Sequence, residues 1–265
     1  MPFSYIDIHS HPNLSPLKDD QAAVLARMRE KGVATITVGV DYETSAESIK
    51  LAEENNDIWA TVGMHPTDNT AEVFDSEKYL KLAEHPKVVA IGECGLDYFR
   101  LPKPEEEIKN IKDKQKALFV SHIEIAQKIN KPLMIHARPS KGSMDAYEDT
   151  LEIFKNLETA PRANFHFFVG NVEIAKQILA LGGTMSFDGP ITFSKDYDEV
   201  IAFIPLESIM AETDAPFAAP APYRGKTCEP WMVEEIVKKI AEIKGLDVEM
   251  VKKQLLANAE NYFKL

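Results

Sequence analysis

In the stretch YIDIHSHPNL, residues 5–14, Asp7, His9 and His11 recur at every second position, with Ile6 and Ile8 among them. Alternate residues of an extended strand share a face, so these three would project together while the isoleucines point the other way. Further residues of the same chemistry are spread along the chain: His65 in TVGMHP, Glu93 in IGECGLD, His136 in LMIHAR, His166 in NFHFF and Asp214 in AETDAP. Taken singly, each has an ordinary explanation. A strand histidine can be a hydrogen-bonded core residue, Glu93 a helix cap, and Asp214 a turn residue before Ala-Pro. Brought together out of water, they would need a compensating charge, and a metal centre supplies it. The four imidazoles of His9, His11, His136 and His166 with the two carboxylates of Glu93 and Asp214 exceed what one tetrahedral ion uses. They suit two divalent ions, with His9, His11 and Asp214 near one, His136 and His166 near the other, and Glu93 bridging. Nitrogen and oxygen donors of this kind hold Zn or Mn, or Mg with more water. A two-ion site suits hydrolysis, and Asp214 is placed to take a proton from water as well as to bind metal.

Other residues fall near this set. His65 precedes a proline and could contact a substrate oxygen. Arg138 lies two residues past His136, and Arg224 lies in PYRGK. An arginine fork recognises phosphate or carboxylate, although either arginine could instead serve a surface ion pair. Asp7 either orients an imidazole or makes a structural hydrogen bond, and Glu212, on the face of Asp214, has the same two readings. Cys94 is expected to point away from the ligand face, since neighbours in a strand alternate. His85 sits in the loop EHPK, and His122 is expected to be an ordinary, partly buried helix residue.

Short β-rich runs must position these groups: Tyr5–His9, Thr35–Val40, Trp59–Met64, Val88–Glu93, Leu133–Ala137, Asn164–Phe168, Gly183–Phe187 and Ile209–Thr213. Helix-period segments at 20–31, 43–55, 112–129, 145–157 and 172–181 separate most of them. Strand–helix alternation implies a parallel sheet. Eight such units with no linker-like stretch fit one closed (β/α)8 TIM barrel spanning residues 1–265. An open doubly wound sheet is the rival, but no GxGxxG follows the first strand. In the barrel every strand ends on the same rim, where His9, His11, His65, His136 and His166, five of the seven histidines, would meet. After the eighth strand come a proline-rich loop and two closing helices. One carries the stripe Val233, Ile236, Val237, Ile240 and Ile243 behind Pro230 near its first turn. The other has Asp247 as N-cap.

The 265 residues are 45% hydrophobic and 27% charged, ordinary for a globular chain. A formal charge of −12 argues against a broad basic surface for duplex nucleic acid. It does not exclude phosphodiester chemistry at a metal site. No apolar run approaches the roughly 18 residues needed to cross a membrane, and the N-terminal residues do not read as a signal peptide. Two distant cysteines, Cys94 and Cys228, form no CxxC pair, so a reduced, cytoplasmic setting is expected.

The ordered set DIHSH, GMHP, IGECGLDY, IHAR, ETDAP and PYRGKTCEP resembles the TatD-type metal-dependent deoxyribonucleases, (β/α)8-barrel hydrolases related to the amidohydrolases. The resemblance runs from Asp7 to the C-terminal helices. It implies a divalent-metal-dependent phosphodiesterase acting on DNA, typically an exonuclease trimming from the 3′ end. It also implies His9, His11, Glu93, His136, His166 and Asp214 as ligands, with His65 and Arg224 near the substrate phosphate. Many amidohydrolases use a carbamylated lysine where this chain has Glu93. The chain departs from the family pattern in three places. The usual His-Cys-Phe of the sixth strand is His166-Phe167-Phe168, the frequent HRG is Tyr223-Arg224-Gly225, and NAxxLF becomes the run Asn258 to Phe263. These departures bear on groove shape and substrate preference. Two alternatives remain: hydrolysis of an ester, lactone or amide by the same centre, and a non-catalytic metal-binding protein.

Overall fold

The computed structural model describes residues 3–67, 73–101 and 104–265. Eight strands lie in sequence order in one sheet: β1 (Tyr5–Ser10), β2 (Val33–Val38), β3 (Ile58–Val62), β4 (Val88–Asp97), β5 (Leu133–Arg138), β6 (Ala163–Phe165), β7 (Thr184–Phe187) and β8 (Ile209–Ala211). All neighbouring pairs are parallel. A parallel bridge between Ser10 and Ala215 brings the chain after β8 back against β1. There the Asp214 N–H donates to the His9 carbonyl at 2.9 Å and the His11 N–H to the Ala215 carbonyl at 2.7 Å. The fold is the expected (β/α)8 barrel.

Around the sheet run α1 (Gln21–Glu30), α2 (Tyr42–Glu53), α3 (Ser76–Ala83), α4 (Glu105–Ile129), α5 (Asp145–Lys155), α6 (Val172–Ala180), α7 (Asp198–Phe203), α8 (Val233–Lys244) and α9 (Val248–Phe263). The strands are buried on both faces, as in β2, where all of VATITV is inaccessible, because helices cover the outside of a parallel barrel. The α8 stripe buries Val233, Ile236, Val237 and Ile240 against the barrel. Asp247 caps α9 by accepting the Met250 N–H at 3.0 Å. Pro230 opens a separate 3₁₀ turn, Pro230–Met232, that leads into α8.

Several boundaries differ from expectation. β4 runs on past Glu93 to Asp97, with all ten residues buried. β6 stops at Phe165, so His166 lies beyond it, and β8 stops at Ala211. α4 begins at Glu105 rather than at 112, behind Pro104. Its first turns are almost wholly polar and so carry no apolar period, while acidic residues favour a helix N-terminus. His122 is wholly buried, not partly. Its Nδ1–H donates to the Leu118 carbonyl at 2.8 Å, and its Nε2 accepts the Met64 N–H at 3.0 Å. The histidine therefore ties α4 to the loop that carries His65.

Candidate metal centre

The barrel's C-terminal rim brings together His9, His11, His65, Glu93, His136, His166 and Asp214. Glu93 sits at their middle. Its Oε1 lies 2.8 Å from His136 Nδ1 and 2.8 Å from His166 Nε2, and 3.4 Å from His65 Nε2. Its Oε2 lies 3.4 Å from His9 Nε2 and 3.9 Å from His11 Nε2. Asp214 Oδ1 closes the other side, 3.5 Å from His9 Nε2 and 3.4 Å from His11 Nε2. Two imidazole pairs result. His9 and His11 present Nε2 atoms 3.2 Å apart, and His136 Nδ1 stands 3.3 Å from His166 Nε2. Each pair faces a different oxygen of Glu93.

Local structure aims these side chains. β4 passes so close to β5 that a Cβ on Gly95 would lie 2.1 Å from the His136 carbonyl oxygen. Gly95 also has a φ of +138°, so only glycine fits there without strain. Asp214 adopts a left-handed φ of 53°, which aspartate tolerates better than most residues. That turn points its carboxylate back over β1. His11 Nδ1–H donates to the Val38 carbonyl at 3.0 Å, leaving the Nε2 lone pair toward the centre.

Asp97 was not singled out in the sequence. Its Oδ2 accepts from His136 Nε2–H at 3.0 Å, and its Oδ1 accepts from the Phe99 N–H at 3.0 Å. Gln115 brackets its backbone, accepting the Asp97 N–H at 2.9 Å and donating to the Asp97 carbonyl at 3.0 Å. With Nε2 so engaged, His136 turns Nδ1 toward Glu93, and one aspartate fixes which nitrogen faces the centre. The signal was available. Glu93, Gly95 and Asp97 share a face at strand spacing, but the expected strand ended too early to show it. Glu212 has a related place: its Oε1 lies 3.5 Å from His166 Nδ1, while Oε2 accepts from the Ser186 hydroxyl at 2.7 Å. Asp7 makes the structural bonds. It accepts from the His9 and Thr213 N–H groups at 3.2 and 2.9 Å and from the Thr213 hydroxyl at 2.6 Å, which pins β1 to the segment after β8. Cys94 points away, with Sγ against the Ile91 and Met134 carbonyls. Arg138 and Arg224 are not in the cluster. Both are exposed on the rim, their guanidinium carbons 4.2 Å from the Phe99 ring and 3.9 Å from the Phe193 ring.

The electrostatics follow from burial and proximity. Burial and the facing His166 ring push His9 down to about 4, and burial brings His65 to about 4 as well. Burial disfavours the Glu93 anion, but the imidazoles of His166, His65 and His136 outweigh it and hold the carboxyl well below its usual range. Burial likewise opposes a charge on His136 and His166, yet their carboxylate partners raise both. The raised His136 and His166 favour their protonated forms in the absence of a cation, and binding a cation at their nitrogens would release protons. The donor set is all imidazole and carboxylate, with paired nitrogens converging on shared oxygens. It fits divalent metal.

Proteins of similar sequence are described as metal-dependent hydrolases. A Bacillus subtilis (strain 168) protein described as the uncharacterized metal-dependent hydrolase YabD is 35% identical over 265 residues, covering 98% of both chains. The Escherichia coli (strain K12) protein described as the uncharacterized metal-dependent hydrolase YcfH is 32% identical, covering 92% of this chain and 89% of its own. The crystal structure of YJJV, a TatD homolog from Escherichia coli K12, superposes with a TM-score of 0.89 at 26% identity over the whole of both chains. The profile of the TatD related DNase family matches residues 6–264, and with that match and those relatives the chain belongs to this family of metal-dependent hydrolases.

Proposed function

We propose that the protein is a 3′→5′ exodeoxyribonuclease that hydrolyses DNA phosphodiester bonds at a two-ion centre. The observation that carries this reading is the Glu93 carboxylate, whose two oxygens face two separate imidazole pairs at 2.8 Å on one side and from 3.4 Å on the other. His9, His11 and Asp214 would hold one divalent ion, His136 and His166 the second, and Glu93 both; Mg, Mn and Zn suit the donors. Ions bound there would polarise the phosphoryl oxygens and acidify water. Asp214, whose Oδ1 lies 3.4 Å from His11 Nε2, would take the proton of the attacking water. His65 reaches into the cluster from the loop after β3, where Thr67 hydroxyl and His65 Nδ1 lie 2.9 Å apart, and would contact a substrate oxygen. Arg138 and Arg224 on the rim would grip phosphate. Free, buried Cys94 and Cys228 support a reducing, cytoplasmic setting, and no helix among the described residues is long and apolar enough to cross a membrane.

A 5′-labelled single-stranded oligonucleotide, with metal-stripped protein resupplied with Mg, Mn or Zn, tests the reading. The expected result is a metal-dependent ladder shortening from the 3′ end. It should fall by about 10³-fold or more in Asp214→Ala and be lost in His9→Ala. No cleavage with any metal would instead favour an ester, lactone or amide of a small molecule.

A further inference from the structure

Three exposed phenylalanines stand on the loops that follow β4, β7 and β8: Phe99 is 43% exposed, Phe193 42% and Phe217 54%. Large apolar side chains left in water forgo burial energy, and these three stand on the rim that carries the ligand cluster. Two of the three are already covered by the guanidinium groups of Arg138 and Arg224. Over Phe217 no cation lies among the described residues. Its ring stands 6.2 Å from the His11 ring, edge to face at 67°. Its N–H donates to the Asp214 carbonyl at 2.9 Å, so the turn that presents Asp214 presents Phe217 too. Phe217 is thus an exposed aromatic ring beside the ligand cluster with no guanidinium over it among the described residues, and two guanidinium groups stand elsewhere on the rim. The complementary occupant is a planar ring joined to a phosphate.

We infer that Phe217 is a specificity-determining residue on which the nucleobase adjoining the scissile phosphodiester stacks. The site would then favour a nucleotide over a base-free phosphodiester at the reacting end. This rests on the phosphodiesterase reading above. Stacking of a base on an aromatic side chain is worth ~1–3 kcal/mol, so the preference should be about tenfold.

The experiment compares two 5′-labelled oligonucleotides that differ only at the 3′-terminal unit, a nucleotide in one and an abasic tetrahydrofuran in the other. Wild type should show a kcat/KM about tenfold higher for the nucleotide. Phe217→Ala should reduce that ratio to about twofold or less, and Phe217→Trp should keep it. Phe217→Leu, apolar but not planar, should behave like the alanine variant. Melting temperatures of all four proteins check folding. An unchanged ratio in Phe217→Ala, a full ratio in Phe217→Leu, or no preference in wild type would overturn the inference. A second readout needs no turnover: metal-stripped protein is titrated with an oligonucleotide ending in 2-aminopurine, whose fluorescence is quenched on stacking. Quenching by wild type that is lost in Phe217→Ala supports the stacking role even if nothing is cleaved, in which case only the phosphodiesterase reading fails. Equal quenching by both proteins, or none by either, overturns it.

Discussion

Each oxygen of Glu93 faces its own imidazole pair, and among the described residues neither pair has another carboxylate in the same bridging position. Asp214 Oδ1 faces His9 and His11 at 3.5 and 3.4 Å, and Asp97 Oδ2 accepts from the far nitrogen of His136 at 3.0 Å. Loss of Glu93 should therefore weaken both ion sites together, whereas loss of Asp97 should weaken one. Asp97→Ala frees His136 Nε2 and no longer fixes which nitrogen faces the centre. Removing such an orienting partner typically costs about 10–100-fold in metal affinity. Competition with a chromophoric chelator should show that drop for one ion, the one His136 would hold, and affinities equal to wild type for both ions would contradict the assignment. At this scale the sequence was informative where side chains differ from what a core needs. His9, His11, Glu93, His136, His166 and Asp214 are polar residues in apolar strands, and their types announce them. Asp97 was hidden because CGLD looks like the start of a loop, and Asp7 was ambiguous because a buried carboxylate can serve a backbone as well as an imidazole.

At the scale of elements, the long α4 reaches the rim through His122. Its neutral form makes both hydrogen bonds, to Leu118 and from Met64. Burial lowers it from 6.5 to about 4. The unfolded chain then binds the proton more readily than the folded one, so stability from this group is complete above about pH 6.5 and is lost as pH falls toward 4. The shift corresponds to about 3 kcal/mol. Thermal melts should show wild type losing more stability than His122→Gln between neutral pH and about pH 4, and parallel losses would contradict this role. The β4–β5 pair makes a second prediction. Gly95→Ala puts a Cβ against the His136 carbonyl in a backbone conformation that L side chains avoid, which should destabilise by about 3 kcal/mol in chemical denaturation. A wild-type midpoint would show that the strands can part there without cost. Elements were legible where length allowed a pattern. The α8 stripe repeats over three turns, but α3 and α7 span eight and six residues, too few for a period to register. β4 outran its reading because glycines inside a strand look like its end.

Over the whole molecule, strand order and parallel pairing follow from alternation alone, since each β–α–β unit adds a neighbour on the same side. The shared rim is therefore legible in the sequence. Side-chain contacts on the rim are not, because they depend on where loops such as Phe99, Phe193 and Phe217 come to rest. The net charge of −12 bears on substrate binding at this scale. With Arg138 and Arg224 as the proposed phosphate contacts, few counterions are released on binding. The KM for an oligonucleotide should then rise no more than about tenfold between roughly 50 and 200 mM salt. A rise of several hundredfold would require many more phosphate contacts than these two arginines supply. The central claim is that hydrolysis of a phosphodiester needs both ions gathered around Glu93. Its most direct test is a titration of metal-stripped protein with Mn²⁺ while cleavage of a labelled oligonucleotide is followed. Activity should stay near background through the first equivalent and reach its plateau at the second. A plateau at one equivalent, or cleavage without added metal, would contradict it.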